Sequence, residues 1–131
     1  MYQLELTPYG LTLKFSGASS PLEFIELQKK LMSILTKIPL DPKILIDITE
    51  MKPLRRKEKL IYSEIFKTLV ENGLVRSCIL YRSSSVLLQM QNISSQHDFF
   101  EEKYINIKDH PNFKRLSREW LVVGNGTKEQ E

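Results

Sequence analysis

The chain has 131 residues, 41% of them hydrophobic and 27% charged, a balance that fits one compact domain with its own core and excludes cofactor domains on large doubly wound or barrel plans. Nineteen Lys and Arg against sixteen Asp and Glu leave a formal charge of +3, too mild by itself to define a nucleic-acid binder. One cysteine and two histidines exclude an intramolecular disulfide and a zinc-type cluster, and no segment approaches the roughly 18 uninterrupted apolar residues of a membrane span.

Tyr2, Leu4 and Leu6 alternate with Gln3 and Glu5, and Leu11, Leu13 and Phe15 alternate with Thr12, Lys14 and Ser16, so both stretches read as half-buried strands. Thr7-Pro8-Tyr9-Gly10 between them carries turn chemistry and predicts an antiparallel hairpin. Ser20-Pro21-Leu22-Glu23 reads as a capping box that opens a helix, its apolar stripe expected through Leu22, Ile25, Leu31, Met32, Leu35 and Ile38 and its stop at Pro39. Lys43 to Ile48 is an apolar run without clean alternation, which suits a central strand covered on both faces.

A second helix is expected from Leu54 to Asn72, ended by Gly73, and Val75 to Tyr81 reads as the next strand. Ser83-Ser84-Ser85 offers N-caps for a third helix through Val86, Leu87, Met90 and Ile93, followed by a short strand over Tyr104 to Ile107. Asp109 is expected to cap a last helix in which Phe113, Leu116 and Trp120 share one face. The fold class is therefore α/β: an N-terminal β-hairpin, then alternating helices and strands in a mixed five-stranded sheet with right-handed crossovers. One domain is expected over 1–123, with a flexible tail over 124–131.

This order of elements, together with Phe15-Ser16-Gly17, Ile44-Leu45-Ile46-Asp47-Ile48-Thr49 and Ser77-Cys78-Ile79-Leu80-Tyr81, resembles the SpoIIAA-like family, the fold group that includes STAS domains. The resemblance implies a small bacterial regulatory or protein-interaction module. Members that act as antagonists expose a phosphorylatable Ser at the start of the helix after the central strand. The matching stretch here runs Thr49-Glu50-Met51-Lys52-Pro53-Leu54-Arg55-Arg56-Lys57 with no Ser before Ser63, so no phosphosite is carried over.

The most informative local feature is Lys52, Arg55, Arg56, Lys57 and Lys59, opposed only by Glu58, where the second helix begins. A helix N-terminus is already positive, so cations there are disfavoured and an incoming anion is favoured. These five residues are the candidate anion- or partner-binding set, weighed against the ordinary alternative of a solvated charged face. Asp47 and Thr49, at the end of the central strand, are candidates for a pocket rim, since open α/β sheets place ligands beyond strand C-termini.

His97-Asp98 and Asp109-His110 pair an imidazole with a carboxylate, but neighbouring residues point in different directions and no nucleophile accompanies them. Cys78 reads as a buried, inert strand residue, and Phe99-Phe100 as an aromatic pair with at least one ring in the core. Gly-rich phosphate loops, nucleophile elbows and metal-binding carboxylate clusters are absent from the sequence, so no catalytic residue, metal or cofactor is assigned and no enzyme is expected. The leading reading is a non-catalytic regulatory or protein-interaction module of STAS/SpoIIAA-like type, lacking the phosphorylatable Ser motif.

A binder of a small anionic or lipid-like ligand is the second reading, and nucleic-acid binding a disfavoured third, because Phe99, Phe100, Tyr104, Phe113 and Trp120 lie far in sequence from the basic run. A protein partner is expected, and edge strands such as the N-terminal hairpin admit pairing into a homodimer. Met1 to Leu6 lack the basic flank and continuous apolar core of a secretory signal, so the expected location is the cytoplasm.

Overall fold

A computed structural model describes residues 1–18, 20–37, 42–96 and 100–124. Outside the described residues lie the expected helix stop at Ile38 and Pro39, the His97-Asp98 pair, Phe99 and all but the first residue of the 124–131 tail. The elements are β1 (Tyr2–Thr7), β2 (Gly10–Gly17), α1 (Pro21–Leu35), β3 (Lys43–Met51), α2 (Arg56–Glu71), β4 (Arg76–Tyr81), α3 (Ser84–Ser94), β5 (Glu101–Asn106) and α4 (Phe113–Val123). This is the α/β order expected, with β3 in the middle of one five-stranded sheet ordered β1-β2-β3-β4-β5.

β1 runs antiparallel to β2, and β2 to β5 are mutually parallel. Each new parallel strand is added on the same side of the last. Right-handed crossovers in such a series place every connecting helix on one face, and α1, α2 and α3 accordingly pack side by side over it. The last helix follows the last strand and covers β3, β4 and β5 from the opposite face.

Two cores result. The larger joins Leu11, Leu13, Phe15, Ile44, Ile46 and Ile48 from the sheet to Phe24, Leu27, Leu31, Tyr62, Ile65 and Phe66 from the helices. Its centre is aromatic: Phe15 lies 5.6 Å from Phe24 and 5.9 Å from Tyr62, ring centroid to centroid, within the range for favourable ring packing. The smaller core holds Cys78, Leu80, Ile105, Trp120 and Leu121 beneath α4. Trp120 donates its indole N–H to the Ser77 carbonyl at 2.7 Å, and Arg76 stacks over the same ring at 5.5 Å while donating to the Leu121 carbonyl near the end of α4 at 3.1 Å. That guanidinium fastens α4 to β4.

Four expectations shift, the first being the last strand, which runs Glu101–Asn106 rather than Tyr104 to Ile107. The buried stripe of α1 runs through Phe24, Leu27, Leu31 and Leu35, while Leu22 is 77% exposed and Ile25 and Met32 also face solvent. The capping box is as expected, Ser20 N–H donating to Glu23 and Glu23 N–H to Ser20, so the start was legible but the rotation was not. The apolar residues of α1 cover more than one stripe, and the aromatic ring of Phe24, with its larger area, takes the sheet side.

The second helix starts at Arg56, two residues later than expected, because Arg55 is extended (φ −85°, ψ 177°) and serves as N-cap. In the last helix the N-cap is Asn112, not Asp109; Asp109 sits in a turn where its N–H donates to the Asn106 carbonyl at 3.2 Å. The predicted stop at Gly73 is present, with the positive φ of +89° that glycine tolerates after a helix. At the hairpin, a Cβ on Gly10 would meet the Lys43 carbonyl at 2.1 Å, so only glycine allows β3 to start that close.

The rotated stripe of α1 is testable. Leu27→Ala, at a fully buried site, is expected to cost about 2–5 kcal/mol, whereas Leu22→Ala should stay within about 0.5 kcal/mol in urea unfolding. Equal losses would contradict the orientation described.

Candidate functional site

The loop Lys52 to Arg55 carries the chain from β3 into α2. Leu54 anchors it: the side chain is buried, and the Gln89 carboxamide of α3 grips its backbone twice, accepting from the Leu54 N–H at 2.8 Å and donating to the Leu54 carbonyl at 3.1 Å. Glu58 is the only acid in the first turn of α2, and it is 8% exposed. Its Oε1 accepts from the Arg55 backbone N–H at 3.0 Å and lies 3.9 Å from the Arg55 guanidinium. The carboxylate that offsets the positive end of this helix is thus spent within the helix start.

The remaining cations are left over. Lys52, Arg56, Lys57 and Lys59 are exposed, and among the described residues none of them makes an ion pair. Helical spacing of three puts Arg56 and Lys59 on one face, with Leu60 and Ser63 beside them. These four line one wall of a groove of about 350 Å³ whose other wall is α3 and the turn after it, through Gln89, Asn92, Ile93 and Gln96. Lys57, one residue on from Arg56, is turned about 100° around the axis, and Lys52 and Arg55 lie in the loop. The structure brings Arg56 and Lys59 together and leaves the other three around the same helix end.

Asp47 and Thr49 occupy another place. Ile46 and Ile48 enter the larger core, so Asp47 between them faces the opposite side of the sheet. Its Oδ1 accepts from the Thr49 N–H at 2.9 Å and the Thr49 hydroxyl at 2.7 Å. Between the Lys14–Asp47 and Ser16–Glu50 pairs one residue of β2 faces two of β3, a β-bulge, and the Asp47 carboxylate takes up an amide there. Lys14 joins this group through Glu50 at 3.1 Å. Its hydrogen bond and ion pair with Glu50, then the Asp47 charge, hold its ammonium above the ordinary lysine range. Asp47 and Thr49 therefore line no part of the α2–α3 groove.

A polar cluster not visible in the sequence sits where β4, β5 and α3 meet. Glu102 accepts from the Ser77 hydroxyl at 2.5 Å and from the Tyr104 hydroxyl, and Tyr104 also lies 3.4 Å from the Ser94 hydroxyl. Burial, then the hydrogen bond to Glu102, raises the Tyr104 phenol well above its usual value, so it stays a donor. The carboxylate is occupied by two hydroxyl donors, which makes this cluster a tie between elements. No group of three or more His, Cys, Asp or Glu among the described residues could hold a metal ion.

Nothing in the sequence marks Leu60, Gln89, Asn92 or Gln96 as groove residues, and Ser63 stands out only as the first Ser after the central strand. Gln89 neighbours the buried stripe Val86, Met90 and Ile93, and nothing in its spacing marks it as the clamp on Leu54. The aromatics weighed for base stacking are largely engaged: Phe100 packs 5.2 Å from Phe66, Trp120 belongs to the smaller core and Phe113 packs against it.

No protein-family model matches the chain, and no curated protein matches it either. Among solved structures, the chain is similar to an uncharacterised DUF3478-family protein with a SpoIIAA-like fold from Shewanella loihica PV-4, at a TM-score of 0.67 and 19% identity over 93% of each chain. It is also similar to an anti-sigma factor antagonist from Mycobacterium paratuberculosis, at a TM-score of 0.55 and 14% identity over 88% of this chain and 93% of that one. The fold is SpoIIAA-like. Among the described residues no helix is long and apolar enough to cross a membrane.

Burial pushes the Cys78 thiol up to about 12, the Lys103 charge lowering it and the Glu102 charge raising it by smaller amounts. At pH 8 it is a thiol inside a core, and the thiolate is the reactive form. A disulfide reagent such as DTNB should leave the folded protein unmodified and titrate one thiol per chain in denaturant. Rapid labelling of the folded protein would contradict this placement.

Proposed function

We propose that the chain is a non-catalytic regulatory module of STAS-like type that works by binding an acidic segment of a protein partner at the start of α2. The observation that carries the reading is the pairing of Arg56 and Lys59 on one wall of the α2–α3 groove, with the local acid Glu58 buried and already bonded to Arg55. Cations left unpaired at the positive end of a helix repel one another and the helix terminus, and a negative partner relieves both costs. Lys52, Arg55 and Lys57 lie around the same helix start, outside the groove lining, and extend the positive field that guides an acidic partner in. The likeness of fold to a protein named as an anti-sigma factor antagonist supports a regulatory, protein-binding role in a bacterial cell.

A small lipid-like ligand would need a deep apolar pocket beside the arginines. The groove is open rather than deep, and six of its eight lining residues are polar or charged, Leu60 and Ile93 being the exceptions. An open groove holds a protein segment better than it buries a lipid tail. The engagement of Phe100, Phe113 and Trp120 in packing weighs against nucleic acid, which single-strand binders hold on exposed rings.

Binding of a fluorescent glutamate-rich peptide checks the reading. Wild-type affinity should fall steeply with added salt, and Arg56→Gln with Lys59→Gln should weaken it about five- to ten-fold. Lys29→Gln on the exposed side of α1 should leave it unchanged. Equal loss from Lys29→Gln, or none from the groove pair, would reject the groove as the site.

A further inference from the structure

The sheet has two edges, β1 and β5, and they differ. β5 opens with Glu101, Glu102 and Lys103, charges of the kind that keep a strand from being extended by another. β1 reads Tyr-Gln-Leu-Glu-Leu-Thr, with no lysine, no proline and no bulge in its pairing with β2. Of the devices that usually blunt an edge, it has only Glu5.

The ladder fixes which backbone groups of β1 are open. Met1 and Ser16 exchange both bonds, Met1 N donating to the Ser16 carbonyl at 3.0 Å and Ser16 N–H to the Met1 carbonyl at 2.9 Å. Bonded pairs recur at every second residue of an antiparallel ladder, so Gln3, Glu5 and Thr7 also turn their N–H and C=O toward β2. Tyr2, Leu4 and Leu6 turn theirs outward. Their side chains share the helix-covered face, where Tyr2 and Leu4 pack on the larger core while Leu6 is 62% exposed. Along that edge runs a groove of about 250 Å³ between β1 and α1, lined by Tyr2, Leu4, Lys30, Ser33 and Ile34. Pro8, the next residue of the same parity, has no N–H and ends the open stretch.

We propose that β1 pairs antiparallel with β1 of a second copy of this chain, about a two-fold axis through Leu4, joining the two sheets into one. The outward groups can bond only if Tyr2, Leu4 and Leu6 face one another. Centring on Leu4 sets Tyr2 against Leu6 of the second copy and Leu4 against its equivalent, so three pairs exchange two bonds each. On the other face the same register sets the exposed Gln3 against Glu5 of the second copy, amide to carboxylate.

Other registers are worse. Sliding until Leu4 faces Leu6 of the second copy brings the two Glu5 carboxylates opposite each other and loses a bonded pair. Sliding the other way leaves Leu6 unpaired. A two-fold axis normal to the sheet keeps both α1 helices on one side of the joint. The groove of each copy then lies beside Leu6 of the other, which removes that exposed leucine from water.

The test is the mass of the protein in sedimentation velocity from micromolar to millimolar concentration. Wild type should shift from monomer to dimer. Leu6→Lys should abolish the dimer, because a charge enters the apolar side of the joint. Leu6 and Gln3, the two positions changed, are exposed, so folding survives and is confirmed by circular dichroism. The register is read from Gln3: Gln3→Lys faces Glu5 of the second copy and should tighten the dimer about five-fold, and Gln3→Glu should weaken it by a similar factor. A wild type that stays monomeric throughout, or a dimer indifferent to Leu6→Lys and to the sign at Gln3, would overturn the proposal.

Discussion

The handedness of the β-α-β crossover is the constraint on which this structure depends. Four parallel strands laid down in sequence order oblige α1, α2 and α3 to lie together on one face. Three consequences follow from that single rule. Neighbouring helices leave a groove between α2 and α3, the second face receives α4 alone among the described elements, and β1 stands at one edge of the sheet. The positions with functional interest are products of the topology before any particular side chain is considered.

Electrostatics at the start of α2 then gives one of those positions its character. An ordinary helix start gathers carboxylates over its free amides. Here Glu58 supplies one, buried and bonded to Arg55, and the cations around it exceed what that one acid can offset. Gln89 adds rigidity from the opposite wall by holding both the backbone N–H and the backbone carbonyl of Leu54. The groove therefore has one wall residue, Gln89, held in place and two cations, Arg56 and Lys59, on the facing wall, an arrangement suited to receiving a charged segment without prior rearrangement.

Much of the fold was legible because each element announced itself by a local rule: alternation in β1 and β2, the Ser20–Glu23 capping box, Ser83 before α3, and Gly73 after α2. The miss in α1 came from residues that cover more than one side of the helix. Leu22, Ile25 and Met32 fit helical spacing as well as Phe24 and Leu27 do, and only the position of the sheet chooses between them. Asp109 and Asn112 are both good caps in sequence, and the turn after β5 decided for Asn112. The basic run was visible as a run, but its division into a groove pair and a surrounding set depends on helix phase. The Gln89 clamp and the Glu102 cluster join residues 35 and 25 positions distant in the chain, beyond the reach of any local pattern.

The account rests most on the claim that negative charge is received between α2 and α3. Backbone amide NMR during titration with a glutamate-rich peptide addresses it residue by residue. The account predicts shifts concentrated at Arg56, Lys59, Ser63, Gln89, Asn92 and Gln96, fading as salt is raised. Shifts centred on the opposite face around Lys14, or spread evenly over all exposed lysines and arginines, would contradict it.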